Sequence, residues 1–510
     1  MNPPASRRRF FQSSTATAAL GFGGLGFLDQ LAPVSAAEAK LPADKVRFHP
    51  DIEPLVRLLE EAPRDRVVEE FASRVRRGTS YREVLAALQL AGVRGIQPRP
   101  VGFKFHAVLV VNSAHLASLN APDADRWLPI FWALDQFKSS QARNAQEGNW
   151  SMSAVAESAV PPAHRAKAAF TEAMDNWDTA AADAAVAGVA RSAGAQEVFE
   201  LFARYGARDF RDIGHKAIYV ANSWRTLQNI GWQHAEPVLR SLAYALLEHE
   251  DTNPAKRDGA PDRAGRRNRE LAGKIRPDWL AGKPDADAAT DLLKTFRQSN
   301  DSEAADQVVA LLNRGVAAAS VWDAVFQAAG ELLIRQSAII SLHSVTTANA
   351  LHYAFQHSGN DETRRWLLLQ AASFLPMFRA RMQNARPMPL DELDAVAPKA
   401  TGAEAVAEVF AEVSRDKTAG ARKALGYLRA GGDPQAFIAA ARRLIYLKGT
   451  DSHDYKFSEA ALEDYFHVSP KLRDRCLAAS VGWLKGSGGA DSKLVERTRD
   501  AFKAQATNPK

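Results

Sequence analysis

Cysteine is almost absent from this sequence. The 510-residue chain has one, Cys476, which excludes an intramolecular disulfide and any cysteine-based zinc or iron–sulfur site. A bound metal would have to take His, Asp, Glu or backbone ligands. Catalytic signatures are missing too. There is no phosphate-cradling P-loop, no G-x-G-x-x-G after a strand pattern, no G-x-S-x-G elbow and no H-E-x-x-H zinc helix. No E-x-x-H pair supports a ferritin-like di-iron site, and no carboxylate pair stands out for glycoside hydrolysis on an α/α-toroid. Past the N-terminus no run of about 20 apolar residues occurs, so no membrane span is expected. No Lys/Arg run is interleaved with aromatics, which argues against a nucleic-acid partner.

Charge is close to balanced. The net +6 includes Arg7, Arg8 and Arg9 against Asp29 in the first 37 residues, leaving about +4 for the rest. Ser6-Arg7-Arg8-Arg9-Phe10-Phe11 reads as a twin-arginine export motif. A small, Gly-rich apolar stretch from Ala18 to Leu28 follows it, and Val34-Ser35-Ala36-Ala37 supplies small residues for cleavage. The chain is therefore expected to engage the twin-arginine export machinery and to work in the periplasm or outside the cell. That route carries folded proteins, often already loaded with a cofactor.

From Asp51 onward the apolar residues recur with helical period, as in Ile52, Leu55, Leu58 and Leu59 or Val67, Val68, Phe71 and Val75. No stretch alternates convincingly like a strand. The segment Ala107–Val111 has strand propensity, but its counterparts at 217–221 and 344–348 do not, so it too reads as helix.

One stretch recurs. His215-Lys-Ala-Ile-Tyr-Val-Ala-Asn222 has copies in His106-Ala-Val-Leu-Val-Val-Asn112-Ser-Ala-His115 and His343-Ser-Val-Thr-Thr-Ala-Asn349-Ala-Leu-His352, and a weaker one in His453 to Glu459. The lead histidines are 109, 128 and 110 residues apart. An amphipathic helix precedes each copy (81–91, 196–205, 321–334, 436–446) and another follows it (126–137, 236–247, 364–378, 472–484). Such units bury their apolar faces only by stacking on one another. The expectation is an all-α protein of about four helical repeats, forming a compact bundle or toroid with internal pseudo-symmetry. Its parts would be a signal peptide (1–37), a linker (38–50), units one and two (51–250), a polar excursion or lid (251–285), units three and four (286–486) and a polar tail (487–510).

Equivalent residues of symmetric units converge on the pseudo-axis. His106, His215, His343 and His453, with Glu459, would then form a nitrogen-rich metal site. Imidazole suits iron, copper, zinc and nickel; iron is the first choice here, with copper or haem as alternatives. A ligating imidazole needs an acceptor for its other N–H, a role open to Asn112, Asn222 and Asn349. At about 100° per residue, an offset of six puts His106 and Asn112 on different faces, so the first, third and fourth histidines are expected just before their helices. His115, Arg225 and His352 each lie three residues after a recurring asparagine, on its face. They are the candidates for proton transfer or for holding a small-molecule substrate. The rival reading is a non-catalytic helical-repeat binding or scaffold protein whose histidines and buried asparagines only tie helices together.

The His-led helices resemble those of the questin oxidase-like family. His215 to Leu246, with Ala-Glu-Pro-Val-Leu-Arg-Ser-Leu-Ala-Tyr-Ala-Leu, and His343 to Leu351 carry the resemblance, and His106 to Leu116 matches more loosely. The resemblance implies an all-α oxidoreductase that opens a ring of a polycyclic aromatic by Baeyer–Villiger-type oxidation, with O2 and reduced nicotinamide. The export signal departs from it, since reduced nicotinamide is not expected outside the cytoplasm.

Overall fold

Helical patterning is realised throughout. The computed structural model describes residues 44–100, 103–250 and 252–503, and every regular element among them is an α- or 3₁₀-helix. Two isolated backbone bridges, Lys45 with Ser153 and Lys283 with Val316, build no strand. The all-α class is thus the observed one. The signal peptide expected at 1–37 lies outside the described residues.

The local starts follow from the sequence. Ser80 and Glu83 form a capping box on the Tyr81–Gly95 helix, Asn360 caps Asp361–Arg381, and Asp433 caps Pro434–Lys448 with proline in the first turn. These are the flanking helices of the repeated units, and each forms where the periodicity places it.

At the centre lies Ile339–His357, buried without a break from Ser341 to Phe355. A helix that is apolar on all sides has no solvent face to present, so others must surround it. His215–Ile230 packs on one side and Ser452–Asp464 on another, and both also pack on Val111–Leu119. The four histidine-bearing segments therefore meet in a closed order around one interior.

One glycine makes the closest approach possible. Asp212, Ile213 and Gly214 all have positive φ, at 50°, 46° and 83°. A Cβ on Gly214 would lie 2.0 Å from the Thr347 hydroxyl oxygen. Only glycine lets the start of the His215 helix press against the central helix here.

The polar excursion and the polar tail each contain a helix. The 251–285 excursion contains Ala260–Ala272, which buries Ala264, Leu271 and Ala272 and packs on Asp361–Arg381. The polar tail contains Lys493–Lys503, which packs on Val67–Arg76 and buries Val495, Thr498 and Ala501. Both have a narrow apolar stripe inside a strongly charged sequence, so mean polarity hides the amphipathic period.

Candidate metal centre

The four lead histidines come together. One ligand nitrogen from each of His106, His215, His343 and His453 lies within 4.8 Å of the other three, and all four residues are at most 5% exposed. The rings touch in cyclic order. Centroids are 5.0 Å apart for His106–His215, 4.3 Å for His215–His343, 5.3 Å for His343–His453 and 4.5 Å for His453–His106. His215 opens its helix, and His106 opens the short turn His106–Leu109. His343 and His453 lie inside their helices rather than before them, because those helices begin upstream at Ile339 and Ser452.

Each ring described in detail is held from behind. His215 Nδ1 donates to the Asp212 carbonyl at 2.6 Å and His343 Nδ1 to the Ile339 carbonyl at 2.7 Å. His453 Nδ1 donates to Asp451 Oδ1 at 2.6 Å. Asp451 does two jobs, since the same oxygen accepts the His453 backbone N–H and caps the helix. A carbonyl only accepts, so the proton of a neutral ring sits on Nδ1 and the Nε2 lone pair points inward.

Those inward nitrogens are very close. His215 Nε2 lies 3.2 Å from His106 Nε2 and 2.9 Å from His343 Nε2. His215 and His343 both donate outward through Nδ1, so their Nε2 lone pairs face each other at 2.9 Å and repel unless a proton or another cation lies between them. Protonation is opposed. Burial first, then the nearby Lys456 and the neighbouring rings, holds His215 and His343 well below the ordinary imidazole pKa. Burial also lowers His453, against the pull of Asp451. Nitrogens bound at about 2.0–2.1 Å to one ion are about 2.9–3.4 Å apart, for angles between 90° and 109°. The two spacings fall within that range. His106, His215 and His343 are thus spaced for a shared transition-metal ion, with acceptors on the His215 and His343 Nδ1 atoms of the kind metal-bound histidines use, and His453 completes a group whose ligand atoms all lie within 4.8 Å. Rings in mutual contact leave no room for a macrocycle, so the haem alternative does not fit.

The other expected site residues lie elsewhere. Glu459 is buried on the His453 helix but sits with Arg442, whose Nε donates to its Oε2 at 3.3 Å. It is not among the clustered ligands. Burial raises its carboxyl to about 7. The asparagines do not hold the three anchored rings, whose Nδ1 atoms are taken. Asn222 Nδ2 donates to the Leu109 carbonyl at 2.9 Å. Asn349 Nδ2 donates to Glu463 Oε2 at 2.9 Å and Asp464 Oδ1 at 2.8 Å. Asn112 Oδ1 is buried without a partner among the described residues.

His352 follows His343 by nine residues, about 13.5 Å along the helix at 1.5 Å per residue. It packs against Trp322, Phe326 and His467, and burial brings it down to about 3. Arg225, ten residues after His215, pairs with Glu463 at 2.9 Å and covers the Tyr353 ring at 4.1 Å. His115 accepts from or donates to the Tyr81 hydroxyl at 2.9 Å. These three candidates belong to other layers of the interior, because sharing a face with an asparagine does not bring a residue back to the height of the lead histidine.

Sequence reasoning missed Asp451 and Lys456. Asp451 was legible as an N-cap two residues before His453. Lys456, three residues after His453, is 2% exposed and its Nζ has no hydrogen-bond partner among the described residues. Burial brings it down to about 7. No protein-family model, curated protein or solved structure matches this chain.

Proposed function

We propose that the four-histidine pocket holds one transition-metal ion, iron first and copper second, and that the protein is an exported oxidoreductase acting on a small aromatic compound. The observation that carries the metal reading is the convergence of inward Nε2 atoms at 2.9 and 3.2 Å from rings whose burial resists protonation. The redox and aromatic parts rest on the preference of imidazole for iron and copper, on an export route suited to cofactor-loaded proteins, and on the resemblance to questin oxidase-like proteins.

When bound, such an ion supplies a Lewis-acidic centre able to change oxidation state. The chain's own residues do the rest. Asp212, Ile339 and Asp451 fix ring orientation. Helices packed on every side keep bulk water away. Burial brings Lys456 down to about 7 and its Nζ has no hydrogen-bond partner among the described residues, so it is suited to hold or release a proton beside the histidines.

A non-catalytic helical-repeat protein is the second reading, favoured by Asn222 and Asn349, which tie neighbouring helices. Elemental analysis and an absorption spectrum of protein purified without chelator separate the two. About one iron or copper per chain, absent from His215→Ala, supports the metal reading. A colourless, metal-free protein that stays folded and takes up neither ion on addition removes it.

A further inference from the structure

The Arg-rich 251–285 stretch is unused by the metal centre, yet it walls a cleft of about 710 Å³. That volume is within the usual range for a small-molecule site, about 300–1,000 Å³. Its walls come from the Pro254–Lys256 turn, the Ala260–Ala272 helix, the turn at Trp177 and the Trp366 side of Asp361–Arg381.

Five cationic side chains line it against three carboxylates. The carboxylates are all engaged. Asp175 accepts from the Tyr205 hydroxyl at 3.0 Å, Asp262 is forked by Arg211 with one arm at 2.8 Å, and Asp258 pairs with Arg263 at 3.0 Å and with Arg266. Two cations are not. Lys256 and Arg269 are exposed and have no acidic partner among the described residues. Arg269 only leans toward the Trp366 ring, at 5.9 Å. Arg208 lies over Trp177 at 3.8 Å and donates to the Met174 carbonyl at 2.7 Å and the Leu246 carbonyl at 3.2 Å, so its guanidinium is already engaged. A concave surface with two cations that lack acidic partners, beside carboxylates already engaged, matches a small molecule bearing a multiply charged oxyanion.

We propose that this cleft binds a small molecule carrying such an oxyanion, either a phosphate ester or a polycarboxylate, held by Lys256 and Arg269. The site is independent of the metal reading.

The test is calorimetric titration of the full chain with inorganic pyrophosphate and, separately, citrate, at constant ionic strength. One of them binds saturably at one per chain, tighter than sulfate by about tenfold or more. Pyrophosphate ahead of citrate identifies the phosphate class, and the reverse the carboxylate class. Lys256→Ala and Arg269→Ala each weaken binding about tenfold, the order of one charge-assisted contact, and together about a hundredfold. Lys256→Arg keeps affinity within about threefold. Should the double variant lose its helical circular dichroism, Lys256→Glu on its exposed turn repeats the test. No saturable binding of either anion, affinity equal to that of sulfate, or affinity unchanged in these variants overturns the proposal.

Discussion

The four-histidine layer and the Arg225–Glu463 layer ride on the same helices, about 9–15 Å apart at 1.5 Å per residue. In the upper layer the central charges and the Asn349 amide face their complements. Arg225 meets Glu463, and Asn349 meets Glu463 and Asp464. Burial pushes the fully enclosed Asp464 carboxyl well above its ordinary pKa, against the pull of the Asn349 amide. In the lower layer the complements of His215, His343 and His453 are on the outside. Asp212, Ile339 and Asp451 take the Nδ1 protons, and like lone pairs face one another inside. Both layers are buried, polar and contributed by the same repeats, so burial and recurrence alone do not mark a site. The distinction is whether the protein supplies the partner itself. A network that supplies its own partners specifies how helices pack; the inward nitrogens of His215 and His343, 2.9 Å apart with both Nδ1 protons turned outward, call for a cation from outside.

The largest expected difference is in metal binding. His215→Ala removes the ring that lies against both His106 and His343. Changes to groups behind a metal ligand typically cost 10–100-fold in affinity, so losing the ligand itself should weaken binding more than about 100-fold. Competition with a chromophoric chelator measures it. Arg225→Met, in the upper layer, should leave that affinity within about twofold. Equal losses in the two variants would erase the contrast between the layers.

The second difference is in stability and runs the other way. Asn349→Leu keeps the volume but strips the amide that Glu463 and Asp464 face. Leaving a buried acceptor unpaired costs about 1–3 kcal/mol, read as a lower urea midpoint of the metal-free protein. Metal affinity should not follow. A variant of unchanged stability would mean that the upper layer is not the helix tie described above.

Why the histidines were legible and their neighbours were not follows from what a repeat encodes. His106, His215, His343 and His453 share a place in four similar units, and symmetry brings equivalent places together. The all-α class was legible for the same reason, since period alone determined it. The asparagines recur as well, but recurrence says nothing about which atom a side chain bonds. Asn222 turned out to reach a backbone carbonyl on the preceding unit. Glu459 was grouped with the lead histidines, although the acid that bonds His453 is Asp451, before the helix rather than along it. The anchors of His215 and His343 are main-chain carbonyls, which carry no side-chain identity to read. Asp212 adopts its position through three consecutive positive φ values, a backbone feature that only Gly214 hints at. The helices inside the 251–285 excursion and the 487–510 tail were not legible, because charge outnumbers the few apolar residues of each stripe.

A smaller effect separates the two functions of Asp451. Asparagine caps helices about as well as aspartate, so Asp451→Asn should leave the His453 helix and the unfolding midpoint nearly unchanged. It replaces a carboxylate behind His453 with a neutral amide, which should weaken metal binding about tenfold. Chelator competition and circular dichroism on the same sample check both halves. Lost helix with unchanged affinity would make Asp451 a cap only.

The finest test uses pH and the metal-free protein. His352 in the upper layer is held to about 3 by burial and then by His467; its unfolded value is about 6.5. Between those values the unfolded chain binds a proton at this position and the folded chain does not. Stability is therefore lost as pH falls below about 6.5 and is fully present above it. From pH 8 to pH 6 this one group should remove about 0.8 kcal/mol. His352→Leu, which fills the slot between Trp322 and Phe326 without a titrating group, should lose correspondingly less over that interval, whatever its stability at pH 8. Matched urea melts at the two pH values cancel the contribution of the other histidines, which both proteins share. The same pH losses in both would show that His352 takes up its proton without penalty in the fold, and that the upper layer is wetter than its packing implies.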